Sequence, residues 1–100
     1  YNKAMNEPSE WDIEKAKSNA EKHGLTFEIA EQVFDDEFAL EKYDDKNSTL
    51  DEARYITIGR IKSQIIVVVV HTSRNGKTRI ISARYANSRE RRFYYDQFTS

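Results

Sequence analysis

The side chains best suited to chemistry in this chain are arginines on predicted strands. Arg54, Arg79 and Arg84 each carry a planar fork that binds two phosphate oxygens at once and stays charged at any working pH. Held on a rigid strand, such a group can stabilise negative charge as it develops. Ion pairing with an acidic partner is the other use of the same residues. Glu52 stands two positions before Arg54 on the same predicted face. There it can orient the arginine, accept a proton or form an ordinary surface ion pair. Ser82 shares a predicted face with Arg84 and can donate to a phosphate. His23 follows Lys22 and is the histidine placed for proton transfer, because an unperturbed imidazole titrates near neutrality. At the end of a predicted helix it is equally suited to a favourable interaction with the helix dipole. His71, inside an apolar strand, reads as packed or edge-exposed rather than reactive.

The charge balance supports a phosphate-facing reading for part of the chain. Residues 1–59 hold 15 acidic and 7 basic side chains, a net of −8, whereas residues 60–100 hold 2 acidic and 9 basic, a net of +7. A local excess of Lys and Arg attracts polyanions even when the whole protein is near neutral. The alternative is that the two parts fold together and partly cancel. With 38% hydrophobic residues among 100, the chain can build one modest core, so residues 9–100 read as a single domain behind a loose arm at 1–8. The absence of cysteine removes disulfides, thiolate metal sites and thiol nucleophiles together. The longest apolar run, 65–70, is too short to span a bilayer, and no secretory pattern is evident, which points to the cytoplasm.

The elements that must carry these residues can be read from period and punctuation. A short extended piece at 9–11 leads to Asp12, a helix N-cap, and a helix over 13–23 stopped by Gly24. Thr26 caps a second helix from 27 to about 35, with Phe27, Ala30, Val33 and Phe34 as its apolar face. The period then changes to two. Strands are predicted over 38–43, 53–60, 64–73 and 78–85, the last two joined by the Asn75-Gly76 hairpin signal. Strict alternation sets Arg54 with Ile56 and Ile58, and Ile80 with Ser82 and Arg84, leaving Arg79 on the face of Ile81 and Ala83. Asn87 and Glu90 form a capping-box pattern for a final helix to about 98. The fold class is therefore α+β: two N-terminal helices packed on an antiparallel sheet of about four strands, plus a C-terminal helix.

Several of these residues recur as a pattern. Trp11-Asp12, Lys15, Asn19 and Lys22-His23-Gly24, then Phe27, Ala30 and Val33-Phe34, then Glu52, Arg54 and Ile58-Gly59, then the strand from Arg79 to Arg84, Ala86 and Glu90-Arg91 resemble the BrnT family of type II toxin-antitoxin systems. The resemblance runs from about Trp11 to Tyr95. It departs at Ser9, where the family usually has an aromatic or aliphatic residue, at Glu37, where a proline is frequent, and at His71, where a tyrosine is frequent. No charged motif position is lost.

The resemblance implies a RelE-like fold, metal-independent RNA cleavage without a cofactor, and neutralisation by a BrnA-like antitoxin that also binds operator DNA, giving a hetero-oligomer. Such cleavage requires a ribose 2′-hydroxyl to lose its proton, a more negative phosphorane to be stabilised and the leaving oxygen to be protonated. On that reading Arg54, Arg84, His23 and Glu52 are the catalytic candidates. Arg79, Ser82, Lys22, Trp11 and Arg91 are candidates for holding RNA. Trp11 can stack on an unpaired base, or belong to the core as a lone tryptophan beside a helix start. Arg89, Arg91 and Arg92, interleaved with Phe93, Tyr94, Tyr95 and Phe98, suit RNA, an antitoxin groove or an ordinary amphipathic helix. The competing function is a non-catalytic protein of the same fold that binds an antitoxin and acts in autoregulation.

Overall fold

The computed structural model describes residues 8–99; the arm expected at 1–8 lies outside them except for exposed Pro8. The chain runs through β1 (Glu10–Trp11), α1 (Ile13–His23), α2 (Phe27–Ala30), a 3-10 turn (Glu31–Asp35), β2 (Leu40–Tyr43), β3 (Arg54–Arg60), β4 (Ile66–Arg74), β5 (Lys77–Tyr85) and α3 (Ser88–Asp96). Local chemistry sets the helix ends. The Asp12 carboxylate accepts from Lys15 N at 3.0 Å, and Gly24 closes α1 at φ 68°, a left-handed conformation cheap only for glycine. Thr26 caps α2 through Ile29 N, and Asn87 and Glu90 form a reciprocal capping box on α3. The predicted second helix is one α-helical turn that tightens into the 3-10 segment.

The sheet has five strands in the order β1-β5-β4-β3-β2. The four long strands are antiparallel neighbours, and β1 adds to the far edge parallel to β5 through the pairs Glu10 with Arg79 and Trp11 with Ile80. The short piece expected at 9–11 is thus a fifth strand of the sheet. Asn75 and Gly76 both take positive φ, as the β4–β5 hairpin requires. Gln64 does so too, at φ 73°, so β4 starts two residues later than its apolar sequence suggests.

One face of the sheet is covered by α1, α2 and the 3-10 turn. Leu25, Phe27, Ala30 and Val33 from this layer pack on Val67, Val69, Ile80 and Ala83, with Trp11 meeting Phe27 edge-on at 5.8 Å. Gly59 lies under the 3-10 turn, where an added Cβ would stand 2.5 Å from Val33 Cγ2, so only glycine fits. The other face carries a smaller cluster at one end. There Tyr94 of α3 packs against Ile58, Ile66, Val68 and Ala86. Its hydroxyl donates to Asp36 Oδ2 at 2.6 Å, and that oxygen also accepts from Arg60 N at 2.8 Å. Burial, reinforced by the neighbouring carboxylate, pushes the Tyr94 phenol well above its ordinary range.

Asn19 performs a role that its polar character hides. Its Oδ1 accepts from Ala83 N at 3.1 Å and its Nδ2 donates to Ala83 O at 2.8 Å and Leu25 O at 3.1 Å. Because β1 ends at Trp11, opposite Ile80, it stops short of Ala83. The buried amide therefore acts as one further strand residue and bolts α1 to the edge of β5.

Candidate functional site

On the face opposite α1 and α2, cross-strand pairing sets side chains in rows. One row holds Arg54, Thr72, Arg79 and Glu10. The next holds Lys42, Ile56, Val70 and Ser82, and the third Leu40, Ile58, Val68 and Arg84. The helix α3 covers the third row at Ile58 and Val68 and the end beyond it, and leaves the first two rows uncovered by helix. Arg79 belongs here because of a β-bulge: Val70 faces Ser82 while His71 faces Ile80, so Ile81 is an extra residue. One extra residue reverses the alternation on its far side. Arg79 therefore joins Ser82 and Arg84, whereas Ile80 joins Ala83 in the helix-facing core, which corrects the predicted assignment of both.

Arg54, Arg79 and Arg84 are each held by a carboxylate. Arg54 Nε donates to Glu52 Oε1 at 2.8 Å, with Arg74 Nη2 at 3.6 Å from the other Glu52 oxygen. Arg79 Nη1 donates to Glu10 at 2.8 Å. Arg84 grips Glu90 with both Nη nitrogens, at 2.7 and 2.8 Å. The Arg54 hydrogen bond holds Glu52 below the ordinary carboxylate range, the Arg84 fork does the same to Glu90, and Glu90 in turn raises Arg84. These pairs are partly exposed, so each contributes orientation more than stability. Arg54 differs from Arg84 in what it keeps available. Only its Nε is engaged, and among the described residues no partner holds its Nη nitrogens.

Beside Arg84, α3 and the sheet enclose a cleft of about 410 Å³. Ile56 and Ile58 form its floor, Lys42, Arg84 and Arg89 its charged walls, and Phe93 one rim. Among the described residues no group of three or more His, Cys, Asp or Glu side chains could hold a metal ion, and no helix is long and apolar enough to cross a membrane.

The sequence model of the ribonuclease toxin BrnT of type II toxin-antitoxin systems matches residues 11–90, most of the chain. The chain belongs to the BrnT family. It is also similar to the crystal structure of the Brucella abortus ribonuclease toxin BrnT, with 26% identity and a TM-score of 0.58 over 80% of this chain and 96% of that one. No curated relative matches. The α+β architecture agrees with the RelE-like fold expected of a BrnT toxin, and toxins of this family pair with an antitoxin.

Not all the residues singled out in the sequence come together in this BrnT-family fold. Arg54, Arg79, Ser82 and Arg84 share the open face, with Glu52 bound to Arg54. His23 and Lys22 do not join them. They end α1 on the helix-covered side, where Gly24 O accepts from Tyr85 Oη, and Tyr85 points away from the face of Arg84. Trp11 packs on the helix-layer core rather than offering its ring to solvent on the open face. Arg91 is spent on its own helix start, donating to Ala86 O and Ser88 Oγ.

His71 is buried on the covered side, with Nε2 and Thr57 Oγ1 2.7 Å apart, the Tyr55 ring stacked on it and Phe34 edge-on. Burial lowers its pKa to about 4, so it is neutral at physiological pH. Lys42, Arg89 and Phe93 line the cleft; Arg89 and Phe93 were read only as part of a basic, aromatic helix suited to RNA, an antitoxin groove or packing, and Lys42 was assigned to no site. The available signal was the spacing of Arg89 and Phe93, four apart and so on one face of α3.

Proposed function

We propose that this BrnT-family chain is a metal-independent endoribonuclease acting in the cytoplasm, with residues 9–100 as one toxin domain. Its target is RNA, its effect growth inhibition, and its neutralising partner a BrnA-like antitoxin in a hetero-oligomer that reaches operator DNA only through the antitoxin. The single observation that carries this reading is the convergence of Arg54, Arg79 and Arg84 on one open sheet face, each oriented by a carboxylate, in a chain of a ribonuclease toxin family.

In the proposed reaction a ribose 2′-oxygen attacks the adjacent phosphorus in line. The P–O5′ bond breaks, leaving a 2′,3′-cyclic phosphate and a 5′-hydroxyl. Arg54 meets the scissile phosphate with its Nη nitrogens while Glu52 fixes its Nε, and Ser82 and Arg79 hold the flanking backbone. Arg84 exchanges part of its grip on Glu90 for a phosphate. Glu52 is the carboxylate nearest Arg54 and the candidate acceptor of the 2′-hydroxyl proton, and a solvent water protonates the departing 5′-oxygen. His23, on the far side of the sheet, has no direct step.

Purified protein incubated with RNA in EDTA, beside Arg54→Ala and Arg84→Ala, tests the reading. Cyclic-phosphate ends from the parent and a loss of about 100-fold or more in each variant are expected. Intact RNA with the parent would overturn it. The carboxylate clamps themselves favour a second reading, in which the arginines are already satisfied and the protein only docks an antitoxin in autoregulation. Inertness toward RNA alongside tight partner binding would select that one.

A further inference from the structure

We infer that the cleft between α3 and the open sheet face is a subsite for one unstacked nucleotide of single-stranded RNA, with the base on the Phe93 ring and its phosphate between Lys42 and Arg89. The inference rests on the open face being where RNA lies, and extends it to three residues that the proposed reaction does not use.

The first ground is a cleft of suitable kind. A volume of about 410 Å³ falls in the lower part of the range for small-ligand sites, about 300–1,000 Å³. Its apolar floor, Ile56 and Ile58, and its charged wall match a flat base bearing a phosphate.

The second ground is charge. Both Glu90 oxygens are taken by Arg84, and Oε1 also accepts from Asn87 N at 2.9 Å, so that carboxylate is already neutralised. Lys42 and Arg89 are exposed, and among the described residues neither has an ion-pair partner. The cleft therefore carries surplus positive charge that its own acid does not cancel.

The third ground is Phe93, 55% exposed at the cleft rim. An exposed ring beside uncompensated cations is the combination by which single-stranded nucleic acid is gripped: stacking, which every base can supply, and phosphate attraction along a groove. The ring is also pre-positioned. Its neighbour Tyr94 is fully buried and tied to Asp36, and the Asn87–Glu90 capping box fixes the start of the helix. The rotation of α3 is thereby set, with Arg89 and Phe93 turned together toward the sheet.

The test uses a short single-stranded 2′-O-methyl oligonucleotide carrying one 2-aminopurine, which cannot be cut by 2′-hydroxyl attack and whose fluorescence falls on stacking. The parent should bind and quench it. Phe93→Ala should lose the quench and weaken binding about ten-fold or more, whereas Phe93→Trp should keep both. Lys42→Gln with Arg89→Gln should flatten the slope of log affinity against log salt by about 1.4, the value for two phosphate contacts on a single strand.

All the substituted side chains are exposed, and an unchanged thermal melt of each variant certifies its fold. Phe93→Ala that binds and quenches like the parent overturns the inference, as does a parent that does not bind the oligonucleotide. So does a Phe93→Ala defect confined to the capture of a protein partner. A parent that binds and quenches but leaves RNA uncut supports the subsite while the nuclease reading fails. A parent that cuts RNA while the cleft variants bind unchanged does the reverse.

Discussion

The two faces of the sheet are built on opposite terms. On the helix-covered face, polar groups are satisfied internally and turned inward: Asn19 closes the edge of β5, and His71 sits neutral against Thr57 between two rings. On the open face, the charged groups are partly exposed and held in geometry by one another. The first arrangement gives stability and leaves nothing to bind with. The second contributes little stability and keeps donors pointing outward, as a surface that recognises phosphate must. One sheet can do both because side chains alternate between its faces.

Exchanging a large side chain on each face should break the molecule in different ways. Phe27→Ala removes a fully buried ring from the helix layer and should cost about 3–5 kcal/mol in denaturant unfolding. Arg54→Ala should cost about 1 kcal/mol of stability or less, while removing RNA cleavage on the reading proposed above. Equal stability losses for the two would erase the distinction.

A pH effect sharpens it further. His71 binds a proton near pH 6.5 in the unfolded chain but only near pH 4 in the folded one. Between those values the unfolded state holds more protons, so stability is complete above pH 6.5 and is lost as pH falls toward 4, by on the order of 3 kcal/mol. A ring titration by NMR should find His71 near 4; a value near 6.5 would mean that the covered face is open to water there.

Asn19→Ala strands the backbone groups of Ala83 at the edge of β5 and should cost about 2 kcal/mol. The Ala83 amide should lose its protection against hydrogen exchange, the signature of an opened strand edge. The smallest effect concerns the helix that borders the open face. Tyr94→Phe keeps the ring in the core and loses the hydrogen bond to Asp36, for about 1 kcal/mol. Its chemical-denaturation midpoint should drop slightly while the helix content stays unchanged.

Much of the architecture was legible because its causes are local. The start and stop of α1 follow from Asp12 and Gly24, the β4–β5 hairpin from Asn75-Gly76, and the start of α3 from Asn87 and Glu90. Alternation alone also set Arg84 with Ser82, and Arg54 with Ile56 and Ile58. It failed at Arg79, because the bulge at Ile81 depends on how β4 and β5 register with each other, which no period within β5 records. Nor could local pattern place His23 relative to the arginines: helical spacing gives a residue's position on its own helix, not the side of the sheet on which that helix docks.

What the amino-acid sequence determined by itself was the kind and order of elements, the capping groups, the excess of arginine in the basic C-terminal part, and the resemblance to BrnT toxins. Only the tertiary structure decided which arginines share a face, that β1 completes the sheet, that Asn19 stands in for a missing strand residue, and that Lys42 meets Arg89 and Phe93 across a cleft. The physical reason is range. Caps, turns and side-chain period act over a few residues, whereas Asn19 meets Ala83 across 64 positions, and nothing short of the packed chain brings them together.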